Sequence, residues 1–114
     1  IIKVPLLNIS TNKKIKNEKI LLGKSSDFIS KLLNKHENFV MIKLTHSLSM
    51  YFGGTDEYCS FIEIKSIGSL HPSKMSKPIG DFFSAELEIP TERIYISFND
   101  VDPNQWAWNN KTFG

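Results

Sequence analysis

Residues 27–44, DFISKLLNKHENFVMIKL, and residues 81–98, DFFSAELEIPTERIYISF, are one pattern written twice at an offset of 54. Asp27-Phe28-x-Ser30 lies over Asp81-Phe82-x-Ser84, Leu33 over Leu87, and Val40, Ile42 and Leu44 over Ile94, Ile96 and Phe98. In each copy the apolar residues first recur at helical spacing (Phe28, Leu32 and Leu33; Ile79, Phe83 and Leu87) and then alternate with period two. Side chains three or four apart share a helix face and side chains two apart share a strand face, so each copy reads as a helix feeding a strand. Outward from this core, residues 6–11 and 60–65 place an extended segment before each helix, which gives β-α-β followed by β-α-β. Strands joined through a helix run parallel with a right-handed crossover. The expected fold class is therefore α+β, a four-stranded mixed sheet with two helices on one face. Pro90 is expected to end the second helix, because it cannot donate a helical hydrogen bond. Lys35-His36-Glu37-Asn38 forms the equivalent corner in the first copy.

With 114 residues and 40% apolar content the chain has room for one domain, and no linker or low-complexity tract divides it. Its 14 basic and 12 acidic residues are interspersed, which argues against a nucleic-acid partner. The one basic cluster, Lys13, Lys14, Lys16 and Lys19, falls between apolar segments and reads as a solvated loop. No apolar run reaches the roughly 18 residues that cross a bilayer, so no membrane span is expected. Residues 1–4 are too short for a secretory signal region, and the chain reads as soluble and cytoplasmic, with leaderless secretion left open. Cys59 is the single cysteine and excludes an internal disulfide framework. His36, His46 and His71 lack a spacing that puts two on one face, so neither a metal nor any other cofactor is expected. Gly53-Gly54 reads as a turn between the copies. Two helices cover one sheet face only, which leaves Tyr95 and Ser97 on a face that needs water or a partner. The tail, with Trp106, Trp108 and Phe113, favours a partner, since such residues left bare make a sizeable apolar patch.

Pro5-Leu6-Leu7-Asn8-Ile9-Ser10-Thr11 resembles the opening strand of the macrophage migration inhibitory factor family within the tautomerase superfamily. The resemblance continues through Phe52-Gly53-Gly54, Glu57-x-Cys59, Ser66-Ile67-Gly68, Glu92-Arg93-Ile94-Tyr95-Ile96 and the ending Trp108-Asn109-Asn110-Lys111-Thr112-Phe113-Gly114. Each motif alone is weak, whereas their order and spacing cover nearly the whole chain. The resemblance implies a single domain over residues 1–114, with residues 1–4 as an extension ahead of Pro5, and a homotrimer whose three sheets enclose a channel. Some relatives carry Cys-x-x-Cys at Cys59, but Ile62 stands at the second position here, so dithiol chemistry is not expected.

The resemblance also implies a keto–enol tautomerase of phenylpyruvate or dopachrome type acting on a small aromatic α-keto acid. Its base would be the Pro5 amine, which exists only if Pro5 begins the chain; an internal proline nitrogen is an amide without basicity. Lys35 matches the family's substrate-binding lysine, and as a lysine after a helix it also suits the helix dipole. Ile67 matches the backbone N–H that meets substrate oxygen, although Ser66-Ile67-Gly68 taken alone is a strand and a turn. Tyr95 matches an aromatic residue supplied by a neighbouring subunit, and Leu6 is expected on the pocket floor. Phe39 replaces a rim tyrosine, Ser97 an asparagine and Trp106 a smaller apolar residue, which leaves the pocket aromatic and its substrate preference open. Arg93 is expected to be structural. The alternative is a catalytically silent trimeric binding or cytokine-like protein in which Pro5 stays internal and residues 1–4 extend the first strand, a pattern the alternation of Ile2, Val4 and Leu6 allows.

Overall fold

The doubled pattern is realised element by element in the computed structural model, which describes residues 4–114. The first copy gives β1 (Leu6–Thr11), α1 (Glu18–Leu32) and β2 (Met41–Thr45); the second gives β3 (Ser60–Ser66), α2 (Pro72–Leu87) and β4 (Ile94–Asp100). The single-turn 3-10 helices Glu37–Phe39 and Thr91–Arg93 repeat at the same offset of 54, and so do Asn34 and Glu88, whose φ values of 53° and 56° break the two helices. A left-handed residue after the last turn reverses the chain and ends the helical ladder. The second helix thus stops ahead of Pro90, which instead precedes the 3-10 turn leading into β4. Residues 1–3 of the expected extension lie outside the described residues; Val4 is buried and precedes β1 rather than belonging to it.

The sheet runs β2-β1-β3-β4, with β1 parallel to β2, β3 parallel to β4, and the copies joined by antiparallel β1 and β3. On the helix side Leu7, Ile9, Ile62 and Ile64 are sealed beneath Ile29, Ile79 and Phe83. Phe28 and Phe82, equivalent residues of the two copies, stack at 4.1 Å with planes 8° apart between the helices.

No helix covers the other face, which consists of cross-strand rows set by the register. Met41, Leu6, Lys65 and Asn99 form the first, Lys43, Asn8, Glu63 and Ser97 the second, and Thr45, Ser10, Phe61 and Tyr95 the third. In the second row Asn8 Nδ2 donates to Glu63 Oε1 at 3.2 Å. A short hairpin of β5 (Ala107–Trp108) and β6 (Lys111–Thr112) ends the chain, turned by Asn109 and Asn110 at φ 53° and 67°. Two consecutive left-handed residues make the turn whose twist matches a two-residue hairpin, and asparagine tolerates that conformation.

Arg93 occupies the 3-10 turn before β4 and holds the loop between β2 and β3. It donates to the carbonyls of Phe52 at 2.7 Å, Glu57 at 2.8 Å and Tyr58 at 3.2 Å, and its guanidinium lies 5.0 Å from the Phe52 ring centroid. Those contacts consume the fork and make it a structural residue. Gly53 and Gly54, at φ 63° and 80°, turn the same loop.

Two measurements check this architecture. Arg93→Gln should cost about 1–3 kcal/mol in urea unfolding, because it strips donors from loop carbonyls. A double-mutant cycle on Phe28→Leu and Phe82→Leu should return a coupling of about 0.5–1.5 kcal/mol, the usual worth of an aromatic pair beyond its buried area.

Candidate functional site

Pro5 closes the start of β1. Its ring is fully buried and its carbonyl accepts from the Met41 N–H at 3.0 Å, the bond that begins the pairing of β1 with β2. Beside it lies a cavity of about 470 Å³. Its floor is the first row of the uncovered face, where Met41, Leu6 and Lys65 stand side by side on β2, β1 and β3. Val4 and Pro5 form one end. The roof is the C-terminal segment, chiefly Val101, Trp106 and Trp108, and Phe39 stands at the edge with its ring 6.0 Å from that of Trp108 in an edge-on arrangement.

Local bonding explains why the tail folds over this spot. Val101 N–H donates to Ser66 O at 2.8 Å, which extends the parallel pairing of β3 and β4 one residue beyond Asp100 and fixes where the tail departs. Asp102 then caps the 3-10 turn Pro103–Gln105 by accepting from Asn104 N–H at 2.9 Å. Phe113 N–H is shared between the carbonyls of Pro103 and Trp106, at 3.1 Å each, and locks the hairpin onto that turn.

Four of the residues named from the sequence, Pro5, Leu6, Phe39 and Trp106, therefore meet in one cavity. Lys35 and Ile67 are off its lining. Lys35 follows α1 by three residues rather than ending it; its N–H donates to Ser30 O at 2.8 Å and its Nζ to Ser69 Oγ at 3.3 Å. Ile67 is buried just after β3, next to Gly68, whose N–H donates to Asp100 Oδ1 at 2.7 Å. The Lys35–Ser69 bond thus ties the exit of α1 to the loop that carries Ile67. Tyr95 belongs to the far end of the uncovered face, two rows and about 13 Å along the strands from the cavity floor. It is 64% exposed and packs on Phe52 at 4.6 Å.

Sequence reasoning passed over Met41, Lys65, Val101, Gln105, Ala107 and Trp108 as lining residues. For Met41 and Lys65 a signal was present. Alternation puts Phe61, Glu63 and Lys65 opposite the buried Ile62 and Ile64, and antiparallel pairing with β1 then sets Lys65 beside Leu6. Val101 and Trp108 depend on how the tail folds back, for which period and composition give no rule.

Chemically the cavity is apolar and aromatic, with Lys65 the only charged residue on its lining among the described residues. Such a site suits a small aromatic anion: rings pack on indole and phenyl faces, and one ammonium fixes the negative end. Among the described residues no cluster of His, Cys, Asp or Glu could hold a metal ion, and no helix is long and apolar enough to cross a membrane.

The fold and sequence have close counterparts. The model of the macrophage migration inhibitory factor family matches residues 4–114. A macrophage migration inhibitory factor homologue of Brugia malayi is 36% identical over 100 residues, 82% of this chain and 84% of that protein. The homologue of Wuchereria bancrofti is 33% identical over 97% of this chain and the whole of that protein. The solved structure of the Prochlorococcus marinus homologue superposes with a TM-score of 0.89 at 35% identity, covering 96% of this chain and 99% of that one. With the repeated β-α-β units, the register and the proline-headed cavity all in place, the chain belongs to the macrophage migration inhibitory factor family of the tautomerase superfamily.

Proposed function

We propose that the chain is a keto–enol tautomerase for a small aromatic α-keto acid of phenylpyruvate or dopachrome type, with the Pro5 nitrogen as general base when that proline begins the chain. The observation that carries this reading is the position of Pro5 at the head of an apolar, aromatic cavity that contains a cation. In the reaction the amine takes a proton from the carbon next to the ketone, charge develops on the carbonyl oxygen, and a proton returned to that oxygen gives the enol. Burial and a nearby positive charge both disfavour a protonated amine, which keeps such a base neutral and usable. Leu6, Phe39 and Trp106 would hold the ring. Lys35 and Ile67 would join the site only by leaving their present places beside Ser69 and Gly68.

The same reading includes a homotrimer. Tyr95 is too far from the cavity of its own chain to close it, so a Tyr95 that closes a cavity must come from another copy. Tyr95, Met41 and Tyr51, at 64%, 65% and 78% exposure, supply apolar surface for such an interface.

A second reading has its own observation. In the sequence as written Val4 acylates the Pro5 nitrogen, and Val4 is itself 6% exposed and lines the cavity. The acylated form is thus a packed state, which supports a silent trimeric binding or cytokine-like protein.

Phenylpyruvate enol–keto conversion should be at background for residues 1–114 and appear in a chain that starts at Pro5. Within that shortened chain, replacing the proline by glycine should lower kcat by about 10²–10⁴-fold, the usual contribution of a positioned general base. Absence of activity in both chains overturns the tautomerase reading in favour of the binding protein. Light scattering at micromolar concentration should give three times the chain mass, and a stable monomer sinks the trimer.

A further inference from the structure

The basic cluster between β1 and α1 has no part in the Pro5 cavity. Lys13, Lys14, Lys16 and Ile20 line a separate cleft of about 460 Å³ against the end of α2, and no residue lines both. The acids around this cleft already have partners. Lys13 Nζ donates to Leu87 O at 2.7 Å and lies 3.6 Å from Glu88, Lys24 lies 3.3 Å from Glu86, and the Glu18 carboxylate accepts from His46 Nε2. Lys14, Lys16 and Lys19 are exposed and, among the described residues, enter no ion pair. Beside them Ile20 is 58% exposed, and among the described residues it is the only large apolar side chain left bare on a helix. The backbone beneath is pinned: Lys13 N–H donates to Thr11 Oγ at 3.1 Å, Ile15 N–H to His46 Nδ1 at 3.2 Å and Ser47 N–H to Lys13 O at 3.2 Å.

Lysines grouped around a bare aliphatic side chain suit a surface that is negative outside and apolar just beneath, which is the make-up of an anionic lipid leaflet. A nucleic acid or another polyanion would use the charges and leave Ile20 in water. We infer that this face docks on anionic lipid headgroups, with Lys14, Lys16 and Lys19 at the phosphates and Ile20 entering the boundary below them. No helix among the described residues is long and apolar enough to cross a membrane, so the contact is peripheral. Because the backbone of the patch is held in place by its own hydrogen bonds, docking has little of it left to order.

The test is sedimentation of residues 1–114 with vesicles of equal parts phosphatidylserine and phosphatidylcholine. The chain should bind these vesicles at low salt, lose most of that binding as salt rises, and ignore vesicles of phosphatidylcholine alone. Replacing Lys14, Lys16 and Lys19 together by Gln should weaken binding about 100-fold, from about fivefold for each lysine at a negative leaflet. Ile20→Ser should weaken it about tenfold, as expected for partial burial of one aliphatic side chain. A control with Lys31, Lys74 and Lys77 replaced by Gln removes the same charge from exposed positions elsewhere on the helices and should stay within about threefold of the parent. Urea midpoints matching the parent show that each variant is folded. No binding of the parent to the phosphatidylserine vesicles overturns the inference. So does an equal loss in the control, which assigns the attraction to net charge. Undiminished binding by Ile20→Ser overturns it too, because the charges alone would then suffice and the face would be a site for polyanions. Tautomerase activity enters none of these measurements, so the proposed function stands or falls separately.

Discussion

The antiparallel pairing of β1 with β3 is the constraint from which the rest of the molecule follows. It sets Leu6 opposite Lys65 and Thr11 opposite Ser60, and a slip by one residue would turn either Leu7 and Ile9 or Ile62 and Ile64 out of the core, depending on which strand moved. With those side chains sealed beneath the helices, the register is fixed by burial. The same pairing then dictates what stands on the uncovered face. The first row places a lysine beside the residue that follows Pro5, and the third row places Tyr95 at the opposite end.

Duplication supplies the matching half of the construction. Equivalent residues sit at a constant offset of 54 through strands, helices, 3-10 turns and helix ends, so one local solution to covering a strand pair is used twice. The central strand pair and the Phe28–Phe82 stack are the places where the copies meet as equals, one on the sheet and the other between the helices. Departures from the repeat mark where the copies serve different ends. The first copy's corner carries Phe39, which lines the cavity, whereas the equivalent residue of the second copy is Arg93, which is spent on backbone carbonyls.

This explains how much was legible in the residues. Helix and strand periods gave every main element, and the repeat gave their order, because both are properties of spacing alone. The stop of α2 was read one step too late: Pro90 cannot continue a helix, but Glu88 had already reversed the chain in a left-handed conformation that nothing in its chemistry announces. At the site, Pro5, Leu6, Phe39 and Trp106 all rested on resemblance. The roof was illegible because it depends on three backbone hydrogen bonds, from Val101 to Ser66 and from Phe113 to Pro103 and Trp106, which any residues in those places could make. Lys65 was legible and overlooked. The pattern pointed to it as soon as the partner of Leu6 was known.

A cation at that position bears on the basicity of any amine at the head of the cavity. If Pro5 carries a free amine, a lysine on the lining of the same cavity disfavours a second positive charge on that nitrogen. Apolar walls strengthen that effect, since they screen charge poorly compared with water. If Pro5 stays acylated by Val4, that nitrogen is an amide with no proton to take up, and what remains is an apolar, aromatic cavity with one lysine on its described lining. The two readings differ by a single peptide bond placed against the same walls.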